Sequence, residues 1–161
     1  MPLPQHGSED VTTTSRSSLM RRIGPKDSQP ELALRRYLHQ LGYRFRLHMR
    51  NLPGTPDIVF PARRKVIFVH GCFWHRHPDC VASTTPKTRT DFWLRKFEDN
   101  VARDRRKAAQ LEAAGWGVIV VWSCETTDLE MLKERLTSFL GPPGNGRRKV
   151  RRSNWRQGAS E

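Results

Sequence analysis

The sequence predicts an α/β domain: a mixed β-sheet flanked by helices and fastened by a structural zinc site. Three observations carry this. The period of the apolar residues changes along the chain in the order α-β-β-β-α-β-α. A long helical pattern separates two apolar strand patterns, Lys65–Val69 and Trp116–Trp122, so a three-stranded meander is followed by a helical crossover. Behind the first of these strands, residues 68–80 read Phe-Val-His-Gly-Cys-Phe-Trp-His-Arg-His-Pro-Asp-Cys, thiolates and imidazoles at the short spacing that suits a zinc ion.

Each element has its own warrant. Ser28-x-x-Glu31 is a capping-box pattern with Pro30 in the first turn, and Leu34, Tyr37, Leu38 and Leu41 then share one helical face up to Gly42. Tyr43, Phe45, Leu47 and Met49 alternate with Arg44, Arg46, His48 and Arg50, which predicts a half-buried strand with a basic outer face. Leu52-Pro53-Gly54-Thr55-Pro56 is a turn that delivers Asp57 to the head of a short strand, Ile58–Phe60. A second turn leads into Lys65–Val69, and residues 81–90 form a polar loop. Leu94, Phe97, Val101, Ala108 and Leu111 hold helical spacing over roughly 91–114. Trp116–Trp122 shows no alternation, as expected of a strand covered on both faces. Thr127-x-x-Glu130 opens a last helix with Leu129, Leu132, Leu136 and Phe139 inward, and Gly141-Pro142-Pro143-Gly144 closes the domain. The expected organisation is a disordered N-terminus (1–14), a domain over 15–141 that begins with a basic arm, and a basic flexible tail (142–161).

The formal net charge is +13 in 161 residues, and residues 31–140 alone hold 19 basic and 12 acidic side chains. A basic body, not only a basic tail, favours a polyanionic partner. The longest apolar run, Val118–Trp122, is far too short to span a bilayer, and the N-terminus lacks a signal-peptide apolar region. A cytoplasmic protein without a membrane partner is the expectation. In that compartment three cysteines predict no disulfide framework.

Cys72, His77 and Cys80 form C-x4-H-x2-C, and Cys124 lies beyond a strand expected to neighbour Val66–Val69. Together they make a Cys3His set for structural zinc, with His75 as a competitor to His77. Asp57 at a strand entrance can hold a hard cation with its oxygens, although an isolated Asp there is more often a turn carboxylate. With His70 and His75 nearby, metal-assisted phosphodiester hydrolysis has its groups: a carboxylate for the metal and an imidazole for the proton. Glu31 fits a capping box or a place facing the same metal. Phe73, Trp74 and Trp93 are core aromatics by default. In this polar context they are also candidates to wedge between stacked bases.

With these residues the chain resembles the very-short-patch repair (Vsr) mismatch endonucleases of bacteria, from about Thr12 to Leu140. The carriers are Arg16-Ser17-x-x-Met20, Pro30-Glu31, Leu52-Pro53-Gly54-x-Pro56-Asp57, His70-Gly71-Cys72-Phe73-Trp74-His75, Thr88-Arg89-x-x-Phe92-Trp93, Asn100-Val101-x-Arg103-Asp104 and Trp122-x-Cys124. The resemblance implies a restriction-endonuclease-like fold. It implies Mg2+-dependent nicking of one strand beside the thymine of a T:G mismatch, the lesion left when 5-methylcytosine deaminates. It places Mg2+ on Asp57 and the backbone carbonyl of Val69, the catalytic histidine at His75, and His70 and Glu31 in support. Its zinc ligands fall on Cys72, His77, Cys80 and Cys124, which prefers His77 to His75. Its DNA-inserting aromatics fall on Phe73, Trp74 and Trp93, its mismatch readers on Lys96 and Asn100, and its opposite-groove arm on Arg16 and Met20. Implied partners are double-stranded DNA with a T:G mismatch, mismatch-repair proteins, and functional coupling to a cytosine-5 DNA methyltransferase.

Several positions depart from the family pattern. Val69 stands in place of a Thr, Ser123 where Glu is frequent, and Thr55 where a basic residue is common. Related nucleases carry a Glu-x-Lys where this chain reads Phe68-Val69-His70. Two other functions fit the residues less fully: a zinc-stabilised endonuclease of different specificity, and a zinc-containing DNA-binding module without catalysis. The first leaves the wedge aromatics without a cheap entry into DNA. The second leaves Asp57, Glu31 and the histidines without work.

Overall fold

A computed structural model of the protein describes residues 26–144, so the N-terminal segment with Arg16 and Met20 and the tail from 145 lie outside the described residues. The elements are α1 (Gln29–Gln40), β1 (Arg46–Leu47), β2 (Ile58–Phe60), β3 (Lys65–His70), α2 (Cys72–His75), α3 (Thr90–Ala113), β4 (Gly117–Trp122) and α4 (Leu129–Leu140). The sheet order is β1-β2-β3-β4. The first three strands run antiparallel, and β4 lies parallel to β3 after the α3 crossover. This is the mixed sheet that the sequence predicts.

Helices cover both faces. On one, Leu34 and Leu38 of α1 and Leu132, Leu136 and Leu140 of α4 pack on Ile58, Phe60, Ile67 and Val121. On the other, Leu111 of α3 packs on Val59, Val66 and Phe68, with Val118 and Val120 beside them. The lack of alternation in β2, β3 and β4 follows directly, since each strand is clamped from above and below. A fully buried Leu such as Leu34 or Leu111 contributes about 2 kcal/mol here.

Four expectations change in detail. The strand drawn through Tyr43–Arg50 pairs only at Arg46 and Leu47. His48 has φ 46°, a left-handed conformation that ends the strand, and Leu47 is 40 % exposed, not inward. Leu94 of α3 is likewise 43 % exposed, while Phe97 one turn on is buried. The last helix is capped by Asp128, which accepts from Met131 N, while the Thr127 hydroxyl donates back to the Cys124 carbonyl. Its buried positions are Leu132, Leu136 and Leu140, and Leu129 and Phe139 are only partly covered.

The parallel register sets up everything that follows. His70 stands opposite Trp122, so the chain leaves β3 toward Cys72 and leaves β4 toward Cys124 at the same sheet edge.

Candidate active site and metal centre

Asp57 precedes β2 at the end of a strained turn. Gly54 has φ 74° and Thr55 φ 48°; the latter is costly for a β-branched residue and marks a turn held in place by its surroundings. The Asp57 Oδ2 accepts a 2.7 Å hydrogen bond from the Val69 N–H, which ties the carboxylate to the end of β3. Burial pushes its pKa up to about 6, with Glu31 adding to the rise; the Val69 hydrogen bond, His48 and Arg35 only partly oppose it.

His70 and His75 stack with ring centroids 4.0 Å apart and planes 10° from parallel. Burial, followed by the neighbouring His75, lowers the His70 pKa to about 4, so this ring is neutral at pH 7. His75 Nδ1 lies 2.5 Å from Asp104 Oδ2 on α3. Burial pulls the Asp104 pKa up, but the His75 hydrogen bond and charge outweigh it and hold the carboxyl below its ordinary value. An ionised Asp104 can only accept, so Nδ1 carries the proton and Nε2 is the ring's basic nitrogen.

Asp57, Val69, His70, His75 and Asp104 line one cleft of about 620 Å³, with His48 and Lys107 on its walls. Of the expected active-site residues only Glu31 stands back from it. Glu31 is 2 % exposed; its Oε2 accepts from the Asp27 N–H at 3.0 Å. Its backbone N–H donates to the Ser28 hydroxyl at 3.4 Å, so the capping pattern is half as drawn, with Asp27 in place of Ser28 as the reciprocal donor. Its Oε1 faces Arg35 and, at 2.7 Å, His48 Nε2, which is 3.8 Å from Asp57 Oδ1. One Glu31 oxygen thus caps α1, and the other contacts His48, whose Nε2 approaches Asp57.

The second centre lies at the sheet edge. One donor atom each from Cys72, His77, Cys80 and Cys124 lies within 4.8 Å of all the others. His77 Nδ1 is 3.7 Å from Cys72 Sγ and 3.4 Å from Cys124 Sγ. Tetrahedral zinc bonds of about 2.1–2.3 Å set sulfur and nitrogen ligands about 3.6 Å apart, so this donor set has the right chemistry and the right spacing. His75 is turned toward Asp104 instead and is not among these four donors. The Ser123 hydroxyl is 3.1 Å from Cys72 Sγ and accepts from the Cys72 N–H at 3.2 Å. Burial raises the Cys72 pKa, yet the hydrogen bonds from Ser123, Cys124 and His77 win and bring it to about 7. Ser83 closes the loop with its hydroxyl 2.8 Å from the carbonyls of Cys72 and His77.

Between the centres, α2 and the start of α3 gather the aromatics. Phe73 lies 5.1 Å from Trp74 and 6.1 Å from Trp93, and Trp74 lies 5.9 Å from Trp93. None of the three is buried, and Phe97 is the core ring beneath them. Lys96 sits over Trp74, Phe92 and Trp93 at 5.6–6.0 Å, and the Asn100 side-chain amide donates to the Trp74 carbonyl at 3.2 Å. The helical turn at Cys72–His75 is what lets adjacent Phe73 and Trp74 join one cluster; in a strand they would point apart.

Sequence reasoning missed Asp104, Lys107, His48 and Phe92 as members of these groups. Asp104 and Lys107 had a signal: with Trp93, Lys96 and Asn100 they continue one stripe of α3 at helical spacing. His48 had none, since its alternation with Phe45 and Leu47 places it on the outer face of a strand that in fact stops before it.

A family model described as DNA mismatch endonuclease Vsr matches residues 8–82. The Type II nicking enzyme V.XorIIP of Xanthomonas oryzae pv. oryzae is 56% identical over 127 residues, 79% of this chain and 93% of that protein. The DNA mismatch endonuclease Vsr of Escherichia coli K12 is 44% identical over 132 residues, covering 78% and 83%. The Type II nicking enzyme V.NmeAIP of Neisseria meningitidis serogroup A is 42% identical over 129 residues, covering 80% and 91%.

Proposed function

Because the chain belongs to the DNA mismatch endonuclease Vsr family and is thus an enzyme acting on DNA, we propose that it nicks one strand 5′ to the thymine of a T:G mismatch. The reaction is Mg2+-dependent and starts very-short-patch repair where 5-methylcytosine has deaminated. The observation that supports this most is a single cleft holding Asp57, His70 and the His75–Asp104 pair, with the aromatic cluster next to it on the same two helices.

Asp57 and the Val69 carbonyl suit a hard cation. Asp57 Oδ1 accepts no hydrogen bond among the described residues, and burial raises the carboxyl's pKa to about 6 although His48 and Arg35 oppose it, so a cation beside it would further favour the ionised form. Held by Asp57 and the Val69 carbonyl, Mg2+ would offset phosphate charge and lower the pKa of a water molecule. The chain does the rest. Asp104 fixes His75 with Nδ1 protonated, so Nε2 can take the water's proton. Neutral His70 stacks on that ring and holds its plane. Glu31 and His48 brace Asp57 from the α1 side. Phe73, Trp74 and Trp93 wedge into the duplex at the mismatched step, which costs less to unstack than a paired one. Lys96 and Asn100 stand beside them to read the mismatch, and Arg16 and Met20 are proposed as DNA contacts outside the described residues. Zinc on Cys72, His77, Cys80 and Cys124 fastens this segment to the sheet, within a restriction-endonuclease-like fold. The setting is the cytoplasm, with a cytosine-5 DNA methyltransferase as the source of lesions and mismatch-repair proteins as partners.

The test is nicking of end-labelled duplexes that differ only by T:G, T:A or C:G, in several flanking contexts, with Mg2+ or EDTA. Mg2+-dependent nicking of T:G alone is expected. Equal cutting of matched DNA would replace the proposal with an endonuclease of other specificity, and binding without cutting in every context with a non-catalytic module.

A further inference from the structure

The cleft has an anionic metal ligand, a base and its orienting carboxylate, yet the strand beside them ends in Phe68-Val69-His70 and the turn before Asp57 carries the uncharged Thr55. Neither brings a cation to a phosphate about to gain negative charge. Four cationic side chains line the cleft: Lys26, Arg76, Arg105 and Lys107. Lys26 and Arg105 are exposed. Arg76 is committed to the Thr84 carbonyl and the Thr85 hydroxyl. Lys107 differs. It is half-buried, and its stem runs across Gly54, where an added Cβ would meet Lys107 Cδ at 2.7 Å and its Cβ and Cγ at 3.0 Å. Glycine thus opens the passage that the stem fills, three residues before Asp57. Among the described residues no hydrogen bond or ion pair occupies the ammonium. Asp104, one turn earlier on α3, is taken by His75.

We infer that Lys107 is a catalytic residue: from α3 its ammonium binds a non-bridging oxygen of the scissile phosphate and stabilises the charge that builds there. In the step, the water oxygen bonds to phosphorus, its proton passes to His75, and the bond from phosphorus to the leaving ester oxygen breaks, that oxygen keeping the electron pair and taking a proton from solvent. Lys107 exchanges no atom. It supplies a fixed positive charge where the non-bridging oxygens become more negative, the kind of interaction that is stronger in the transition state than in the bound substrate. The inference rests on the endonuclease reading above.

The test compares the full-length wild type with Lys107→Met, Lys107→Arg and Asp57→Ala, in single-turnover nicking of a T:G duplex at saturating protein with Mg2+, and in DNA binding without Mg2+. Methionine keeps the stem on Gly54 and removes only the charge; circular-dichroism melting checks the fold, and Lys107→Gln replaces it if methionine disturbs packing. The expected result is a roughly 100-fold slower nicking step for Lys107→Met with affinity within about threefold, and partial recovery in Lys107→Arg. A Lys107→Met rate equal to wild type overturns the inference. So does a loss that saturation restores, since that is a binding contact only. Wild type that nicks no duplex sinks the endonuclease reading, and this inference with it.

Discussion

Asp57 costs the fold stability, and its replacement by Asn measures how much. The carboxyl is largely buried and its pKa rises from an ordinary 3.8 to about 6. A raised pKa means that the folded state prefers the protonated acid, so ionisation at higher pH weakens folding. The penalty is absent below pH 3.8, grows through the window from 3.8 to about 6, and is complete above it. At 1.36 kcal/mol for each tenfold change, the ionised carboxylate destabilises the fold by about 3 kcal/mol at neutral pH. Asparagine keeps the shape and can still accept from the Val69 N–H. Asp57→Asn is therefore expected to be more stable than wild type by up to about 3 kcal/mol at pH 7.5, and equal to it near pH 4. Urea unfolding at intervals between pH 4 and 8, without added divalent cation, reads the difference directly. Millimolar Mg2+ should then stabilise wild type and leave Asp57→Asn unchanged, because only the carboxylate binds it. Equal stability at pH 7.5, or a gap that opens toward acid, would refute the claim that burial dominates this group.

The other predictions concern separate parts of the machinery. Asp104→Asn frees the His75 tautomer; a fall in nicking of about 10²- to 10⁴-fold with DNA binding intact is expected in single-turnover assays. If zinc binds as proposed, Cys124→Ser should take it, measured by elemental analysis, from one equivalent toward none and lower the melting temperature, since the four donors lie at the ends of β3 and β4. Trp93→Ala removes one face of the aromatic cluster, and mismatched-duplex affinity should drop by about 1–3 kcal/mol while matched-duplex affinity changes less. His48→Ala leaves the buried Glu31 with only Arg35 and the Asp27 N–H; thermal or urea unfolding should show a loss of about 1–3 kcal/mol.

Much of this molecule was legible in one dimension. Local periodicity marked the helices, and the unbroken apolar runs of β3 and β4 announced strands covered on both faces. The order of elements was enough to predict the meander and the crossover, and with them the meeting of Cys72 and Cys124 at one edge. The Cys72, His77, Cys80 and Cys124 cluster was legible because such donors are chemically rare and the first three are closely spaced in the chain. Strand β1 was misread because alternation measures which side chains could face inward, not whether a partner strand extends far enough to pair with them.

The residue types of the cleft, its metal-ligating chemistry and its aromatic neighbours were thus determined by the sequence itself, since donor atoms and ring systems are properties of side chains. Which of them act together was decided by tertiary structure alone. Asp104 becomes the partner of His75, Glu31 meets His48, and Lys107 lies over Gly54 across 29, 17 and 53 residues of chain. No local rule couples such positions. Ring orientation, the ionisation of a carboxylate and the reach of an ammonium depend on burial and on charges a few ångströms away, and those distances exist only once the sheet has closed between its two layers of helices.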